Sequence, residues 1–229
     1  MDSVFRLKAK GKFAKMGEIR RPSPVLLMIA AFAPTEASLA WGRQRAEAEF
    51  GPVWRESPTF YFNDFTHYYD KEMGPILPKR LWAFERLIDM GRLAEIKVKT
   101  NGWEEERARI LAAASEIAAN TAPNADQANV ADQANVAGKS APSVSRPLNL
   151  DPGYIDLGKL ILASTKDHSH RIYLRDGIFA ETTLYYSQKE WKKLPWTYPD
   201  YQSEGYQRFL TECRDYLHQR RRSDAQGER

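Results

Sequence analysis

A short polar segment, STKDHSHR at positions 164–171, holds an unusual density of groups that could do chemistry. Lys166 and Arg171 supply fixed positive charge, which suits a phosphate or a carboxylate. His170 titrates near neutral pH and could serve as an acid, a base or a ligand. The segment runs directly into the strand-like residues RIYL, so we expect a site at the mouth of a core strand. The alternative is a solvated loop with two surface histidines and an arginine that pairs across the sheet.

The backbone conformation of this segment decides which of its side chains can act together. If extended geometry begins this early, alternation separates Lys166, His168 and His170 from Asp167, Ser169 and Arg171. A loop would relax this rule. We include Asp167 with Lys166 and Arg171 among the candidate ligand-binding residues.

Two carboxylates, one before this segment and one after it, are candidate partners for His170. Asp151, in NLDPGY, either caps a turn or binds a cation and orients the histidine. Glu181, in AETTLYY, falls in the middle of a predicted strand, where a lone carboxylate is costly. It must therefore face solvent, pair with a cation or line a cleft. We predict His170, Glu181 and Asp151 as the candidate catalytic residues.

The N-terminal half offers weaker candidates. Asp64, in FNDFTHYYDKEMG, lies close to His67 and Glu72, but their spacing matches no familiar metal motif. The metal requirement therefore stays open, and no cofactor is indicated. Lys97 and Lys99, in KVKTN, form either an anion-binding rim or an exposed polar face.

The elements that must position these residues alternate between strands and helices. We predict a buried strand over 25–32, a helix from Thr35 to Gly51, an aromatic strand over 54–65, an amphipathic helix over 77–89, an alternating strand over 94–101 and a helix over 103–119. The DPG sequence after Leu150 predicts a turn, and three or four strands follow, with a hairpin at RDG and a closing helix. The expected fold is α+β or α/β, a mixed sheet flanked by helices.

The chain divides at a low-complexity segment. ADQANV occurs twice in succession from residue 125, among Ala, Asn, Ser and Pro. We predict a disordered insertion over 120–145 between an N-terminal half (22–119) and a C-terminal half (146–219) of one domain. Residues 1–21 are expected to be a flexible basic extension, and residues 220–229 a flexible tail.

Composition excludes several classes of protein. A net charge of +4 is modest, and 42% hydrophobic residues are typical of a globular protein. A single cysteine permits no internal disulfide and favours the cytoplasm. The longest apolar run, eleven residues from Pro24 to Pro34, is too short to span a bilayer. Phosphate-binding loops, dinucleotide fingerprints and serine-nucleophile elbows are absent from the sequence.

Six motifs in this order resemble the bacterial and archaeal domain-of-unknown-function family 4416. They are FNDFTHYYDKEMG, IKVKTN, NLDPGY, LILASTKDHSHRIYL, IFAETTLYY and LPWTYPDY. The resemblance extends from Pro22 to about Tyr216, and it implies no activity, substrate or cofactor. Relatives are usually shorter in the N-terminal extension and in the insertion, which implies that both are dispensable.

These observations predict a polar cleft for an anionic small molecule. We expect Asp151, Glu181 and the 166–171 segment to converge there, with Lys97, Lys99 and Asp64 as further contributors. Such a cleft suits a phosphorylated metabolite or a nucleotide, with hydrolysis or group transfer as the chemistry if it is catalytic. The alternative is a non-catalytic module for RNA or a protein partner that uses the basic ends and the aromatic residues Trp196, Tyr198 and Tyr201. No membrane association is expected.

Overall fold

A computed structural model of the chain describes residues 19, 21–61, 70–73, 76–121 and 145–227. Within these residues the strands are β1 Val25–Phe32, β2 Val53–Glu56, β3 Phe60–Tyr61, β4 Pro78–Ile88, β5 Asn149–Asp156, β6 Lys159–Ser164, β7 Ile172–Arg175, β8 Ile178–Ser187 and β9 Glu190–Lys193. The helices are α1 Glu36–Phe50, α2 Asp70–Met73, α3 Leu93–Thr121 and α4 Glu204–Gly227, with 3-10 turns at Met90–Arg92 and Pro199–Gln202.

The nine strands form one sheet in the order β2-β4-β1-β5-β6-β8-β7, with β3 added to β4 and β9 added to β8. Every pairing between the described strands is antiparallel, whereas the sequence predicted a mixed sheet. The α+β class is therefore confirmed. Because β1 pairs with β4 and with β5, the two halves of the chain share a single sheet.

Strand β1 is the centre of the core, and all eight of its residues are buried. Leu27 and Ile29 face an apolar layer that includes residues of α1 and α3. Leu26 and Met28 face a second layer, which includes residues of α4. This two-sided burial explains the continuous apolar sequence, and it confirms the strand predicted there.

The first helix also follows its sequence signals. Thr35 caps α1, and its Oγ1 accepts a hydrogen bond from the backbone N–H of Ser38 at 3.3 Å. Gly51 ends the helix with a φ of 91°, a conformation that favours glycine.

Two predicted elements have the wrong type. The amphipathic helix expected over 77–89 is strand β4, which is buried on both faces and therefore carries apolar residues at spacings that also fit a helix. The strand expected over 94–101 is the first part of α3. There Val98 is exposed and Lys97 is buried, the reverse of what the alternating pattern suggested.

The predicted turn at DPG is also wrong, because these residues lie within β5. Pro152 pairs with Ile29 of β1 but lies outside the β5–β6 pairing, which begins at Gly153. A Cβ atom on Gly153 would lie 2.3 Å from the carbonyl oxygen of Ile161. Glycine is therefore required here for the close approach of two strands and not for a turn.

The remaining predictions concern the ends and the gaps of the described structure. The strand expected over 54–65 appears as β2 and β3, and residues 62–65 lie outside the described part. The predicted insertion, apart from its edges, lies outside it as well. Helix α4 continues to Gly227, through residues where a tail was expected, and Arg221 pairs with Asp156 at 3.0 Å. No helix in the described residues is both long and apolar enough to cross a membrane.

Candidate functional site

A cavity of about 770 Å³, hereafter called the recess, lies at one end of the sheet. Neighbouring antiparallel strands alternate in direction, so the ends of some strands meet the beginnings of others at this edge. The wall of the recess includes residues at or near these strand ends: Phe32 of β1, Lys79 of β4, Asn149 and Asp151 of β5, Ser164 of β6 and Glu181 of β8.

The buried pair of Arg171 and Glu181 forms one side of the recess. Arg171 Nε donates to Glu181 Oε2 at 2.8 Å, and its Nη1 donates to Ser164 Oγ at 2.7 Å and to the carbonyl of Lys166 at 3.0 Å. The other carboxylate oxygen of Glu181 accepts from Thr183 Oγ1 at 3.0 Å. Glu181 thus resolves the cost of a carboxylate within a sheet by pairing with a cation while lining the recess.

His170 contacts the same carboxylate, although it is not part of the described wall of the recess. Its Nε2 lies 3.1 Å from Glu181 Oε2, and its ring stacks on Trp196 with a centroid distance of 4.7 Å. His170 and Arg171 reach one carboxylate because the chain turns at Ser169 and His170, where the backbone N–H of Arg171 donates to the carbonyl of His168. The strand alternation considered from the sequence therefore does not apply to this segment.

A bulge in β8 helps to fix Glu181. The β6–β8 pairing slips between Leu160 and Ile161, so that Thr183 is the extra residue. The carbonyls of Thr182 and Thr183 accept hydrogen bonds from Trp196 Nε1 and Thr197 Oγ1, at 2.9 and 2.6 Å. Bulges commonly re-aim side chains next to functional sites.

The pair of Lys97 and Asp151 forms a second side of the recess. Lys97 Nζ donates to Asp151 Oδ1 at 3.0 Å and to the carbonyl of Leu150 at 2.9 Å, and Asn149 Nδ2 donates to Asp151 Oδ2 at 2.7 Å. The side chain of Lys97 is buried, whereas that of Asp151 is 35% exposed because it faces the recess. Burial acts to raise the pKa of Asp151, but the charge and hydrogen bond of Lys97 and the bond from Asn149 outweigh it and lower that pKa.

Glu104 and Arg146 complete this side. Glu104 accepts from Arg146 Nη2 at 2.8 Å and from the backbone N–H of Leu150 at 2.7 Å. Burial nevertheless raises the pKa of Glu104. Arg146 also donates to Asn149, which links the pair to Asp151.

A fourth ion pair joins Lys79, which lines the recess, to Asp200. Lys79 Nζ donates to Asp200 Oδ2 at 2.6 Å, and the two side chains are only 4% and 2% exposed. Tyr206 donates its hydroxyl to the same oxygen at 3.1 Å. Burial, with the charge of Asp200, raises the pKa of Tyr201 and of Tyr206 well above the usual value.

The structure brings together five of the residues predicted from the sequence to form the site: Lys97, Asp151, Lys166, Arg171 and Glu181. Lys99 lies elsewhere, because a residue two positions after Lys97 projects from nearly the opposite side of α3, where Lys99 pairs with Glu49. Asp167 is exposed and outside the described wall, and Asp64 lies outside the described residues. Sequence reasoning missed Lys79, Glu104, Arg146, Asn149 and Asp200.

The missed residues carried little signal in the sequence. Lys79 and Glu104 fell in predicted helices, where charged residues normally face solvent. Asp200 lies in an aromatic segment in which the rings, and not the carboxylate, suggested a function. Within the described part of the chain, no group of three or more His, Cys, Asp or Glu side chains is arranged to hold a metal ion.

The sequence profile of one protein family matches most of the chain, over residues 23–112 and 121–216. The chain belongs to the family described as domain of unknown function 4416. No curated protein and no solved structure shows a significant match. The six motifs that carried the resemblance include the segments that build the recess, among them β5, the loop after β6, and β8.

Proposed function

We propose that the recess binds a phosphorylated small molecule or nucleotide, with Arg171 and Lys97 as the main donors to its phosphate group. The arrangement of Arg171 carries this proposal. Glu181, Ser164 and the carbonyl of Lys166 hold its Nε and Nη1, while Nη2 has no hydrogen-bond partner among the described residues. A guanidinium fixed on one side with a donor remaining is pre-organised for an oxyanion.

Lys97, which also lines the recess, offers a second donor. Its ammonium group has three N–H bonds, and two of them are used by Asp151 and the carbonyl of Leu150. Lys166 and His168 also line the recess.

The placement of the ion pairs supports binding over a purely structural role. Buried ion pairs contribute little net stability, because desolvation offsets their attraction. Lys79, Lys97, Arg146 and Arg171 each pair with a carboxylate, and all four line this recess. A concave wall with fixed polar groups is typical of a small-molecule site.

The geometry supports binding more strongly than turnover. Both oxygens of Glu181 already accept hydrogen bonds, and His170 lies behind Glu181 instead of in the described wall. We further propose that His170 and Glu181 catalyse hydrolysis or group transfer on the bound ligand. Product should then form from a bound phosphate ester, and His170→Ala should abolish product formation without abolishing binding.

The basic end of α4 favours a small ligand over RNA. Arg221 pairs with Asp156 and donates to the carbonyl of Pro24, so this cation stabilises the fold. We place the binding in the cytoplasm, the compartment expected for a chain with one cysteine.

Two lysines on one helix provide the test. Thermal unfolding of the full chain is measured with inorganic phosphate, ribose 5-phosphate and nucleotides, for wild type, Lys97→Met and Lys99→Met. We expect Lys97→Met to weaken binding roughly 10- to 150-fold, the loss that accompanies removal of a charged hydrogen bond. Lys99→Met should bind like wild type, because Lys99 pairs with Glu49 outside the recess. Absence of stabilisation of the wild type by all of these compounds, or equal losses in both variants, would refute the proposal.

A further inference from the structure

Tyr198 is the one Phe, Trp or Tyr side chain in the described wall of the recess that is substantially exposed. The other exposed ring there, that of His168, already stacks with His170. The exposure of Tyr198 is 48%, whereas Phe32 and Tyr201, which also line the recess, are buried. Among the described residues, its ring makes no stack or cation–π contact, and its hydroxyl makes no hydrogen bond. Tyr198 therefore presents a ring to the recess without contributing to the packed core.

The backbone around Tyr198 is firmly held. Thr197 is buried, and its hydroxyl donates to the carbonyl of Thr183 and accepts from the backbone N–H of Leu194. On the other side, Pro199 opens a 3-10 turn in which Asp200 is fixed by Lys79. An exposed ring on a fixed turn is pre-organised for stacking, because little backbone entropy is lost when a ligand binds.

The charge of the wall limits the number of phosphates. Five Lys or Arg side chains line the recess against four Asp or Glu side chains. The small positive excess suits a single phosphate group. A triphosphate carries much more negative charge, which this small excess would not balance.

We propose that Tyr198 is the stacking platform for a planar base and that the ligand is a nucleoside monophosphate. This inference rests on the proposed function and names the class of its ligand. Stacking on an aromatic side chain tolerates different bases, because every base has a π-face. The polar wall at Arg171 and Lys97 would hold the phosphate while Tyr198 holds the base at the rim.

The test separates the base from the phosphate. Affinities of the full chain are measured by titration calorimetry for the four common nucleoside 5′-monophosphates, the matching triphosphates without divalent metal, and ribose 5-phosphate. We expect at least one monophosphate to bind more tightly than ribose 5-phosphate and more tightly than its own triphosphate. Tyr198→Ala should weaken the binding of that monophosphate roughly 5- to 150-fold and leave the binding of ribose 5-phosphate unchanged. Tyr198→Phe should keep the wild-type preference.

Tyr185→Ala is the matched control, since Tyr185 is similarly exposed on β8 but does not line the recess. Equal affinity for ribose 5-phosphate and all monophosphates would overturn the role of Tyr198. An equal loss of affinity for ribose 5-phosphate and for the monophosphate in Tyr198→Ala would overturn it as well. Tighter binding of a triphosphate would overturn the assignment to monophosphates. Binding of none of these compounds would overturn the proposed function as well.

Discussion

Two lysine–aspartate pairs contribute their lysines to the wall of the same recess, yet the pairs differ in their access to solvent. Lys79 and Asp200 are sealed, and Asp200 is held further by Tyr206. Lys97 is equally buried, but its partner Asp151 opens to the recess. The comparison teaches that similar ion pairs can be sealed within the fold or open to a recess, and that the exposure of the carboxylate distinguishes the two cases.

The sharpest test of this contrast is the same substitution at both aspartates. Asp200→Asn should lower the free energy of unfolding by about 3–5 kcal/mol, because it leaves a buried ammonium without its counter-charge. Asp151→Asn also removes the counter-charge of a buried lysine but should cost less, about 1–3 kcal/mol, because Lys97 keeps its bond to the carbonyl of Leu150 and position 151 is open to water. Chemical denaturation of the two variants measures both values. Equal losses would show that the exposure of the carboxylate does not separate the two pairs.

A smaller effect is expected from the hydroxyl that supports the sealed pair. Tyr206→Phe keeps the buried ring but removes the hydrogen bond to Asp200, and it should cost about 1.5–3 kcal/mol. Tyr185→Phe is the control, because that ring is exposed, and it should change stability by less than about 0.5 kcal/mol. Denaturation midpoints that are the same in both variants would argue against a structural role for the hydroxyl.

The smallest expected effect is a difference in stability at low pH. The pKa of Asp151 is lowered in the folded state, so the unfolded chain takes up a proton first as the pH falls. Its contribution to stability is therefore complete above the ordinary value of 3.8 and is lost as the pH falls through the folded pKa. As the pH falls through 3.8 and below it, Asp151→Asn should lose less stability than wild type. Parallel pH profiles of the two proteins would contradict this prediction.

The sequence predicted the fold class and several elements, and the reasons for the failures are physical. The strand β1 and the cap of α1 follow from local patterns that tertiary contacts do not oppose. Strand β4 was predicted as a helix because a strand that is buried on both faces does not alternate between apolar and polar residues. The start of α3 was predicted as a strand because Lys97, which is buried, was assigned to an exposed face. Turn chemistry at DPG was overridden by the close approach of β5 and β6 at Gly153.

The candidate site was anticipated where its residues are close in the sequence or stand out in a strand. The segment from Ser164 to Arg171 and the carboxylate of Glu181 were identified in this way, and the structure places them together. The partners of Lys97 and Lys79 are far away along the chain, at separations of 54 and 121 residues. Tertiary packing brings such distant residues together, as when α3 packs against β5 and places Lys97 beside Asp151, and periodicity does not report this packing.

The central position of β1 also has a consequence for how the protein would respond to cleavage. Hydrolysis of the backbone between residues 122 and 144 would leave β1 joined to β5 through seven paired residues, with apolar layers on both faces. The two fragments should therefore remain associated without a covalent link. Separately produced pieces should reassemble on mixing, so that this protein can be divided there as a fragment-complementation pair.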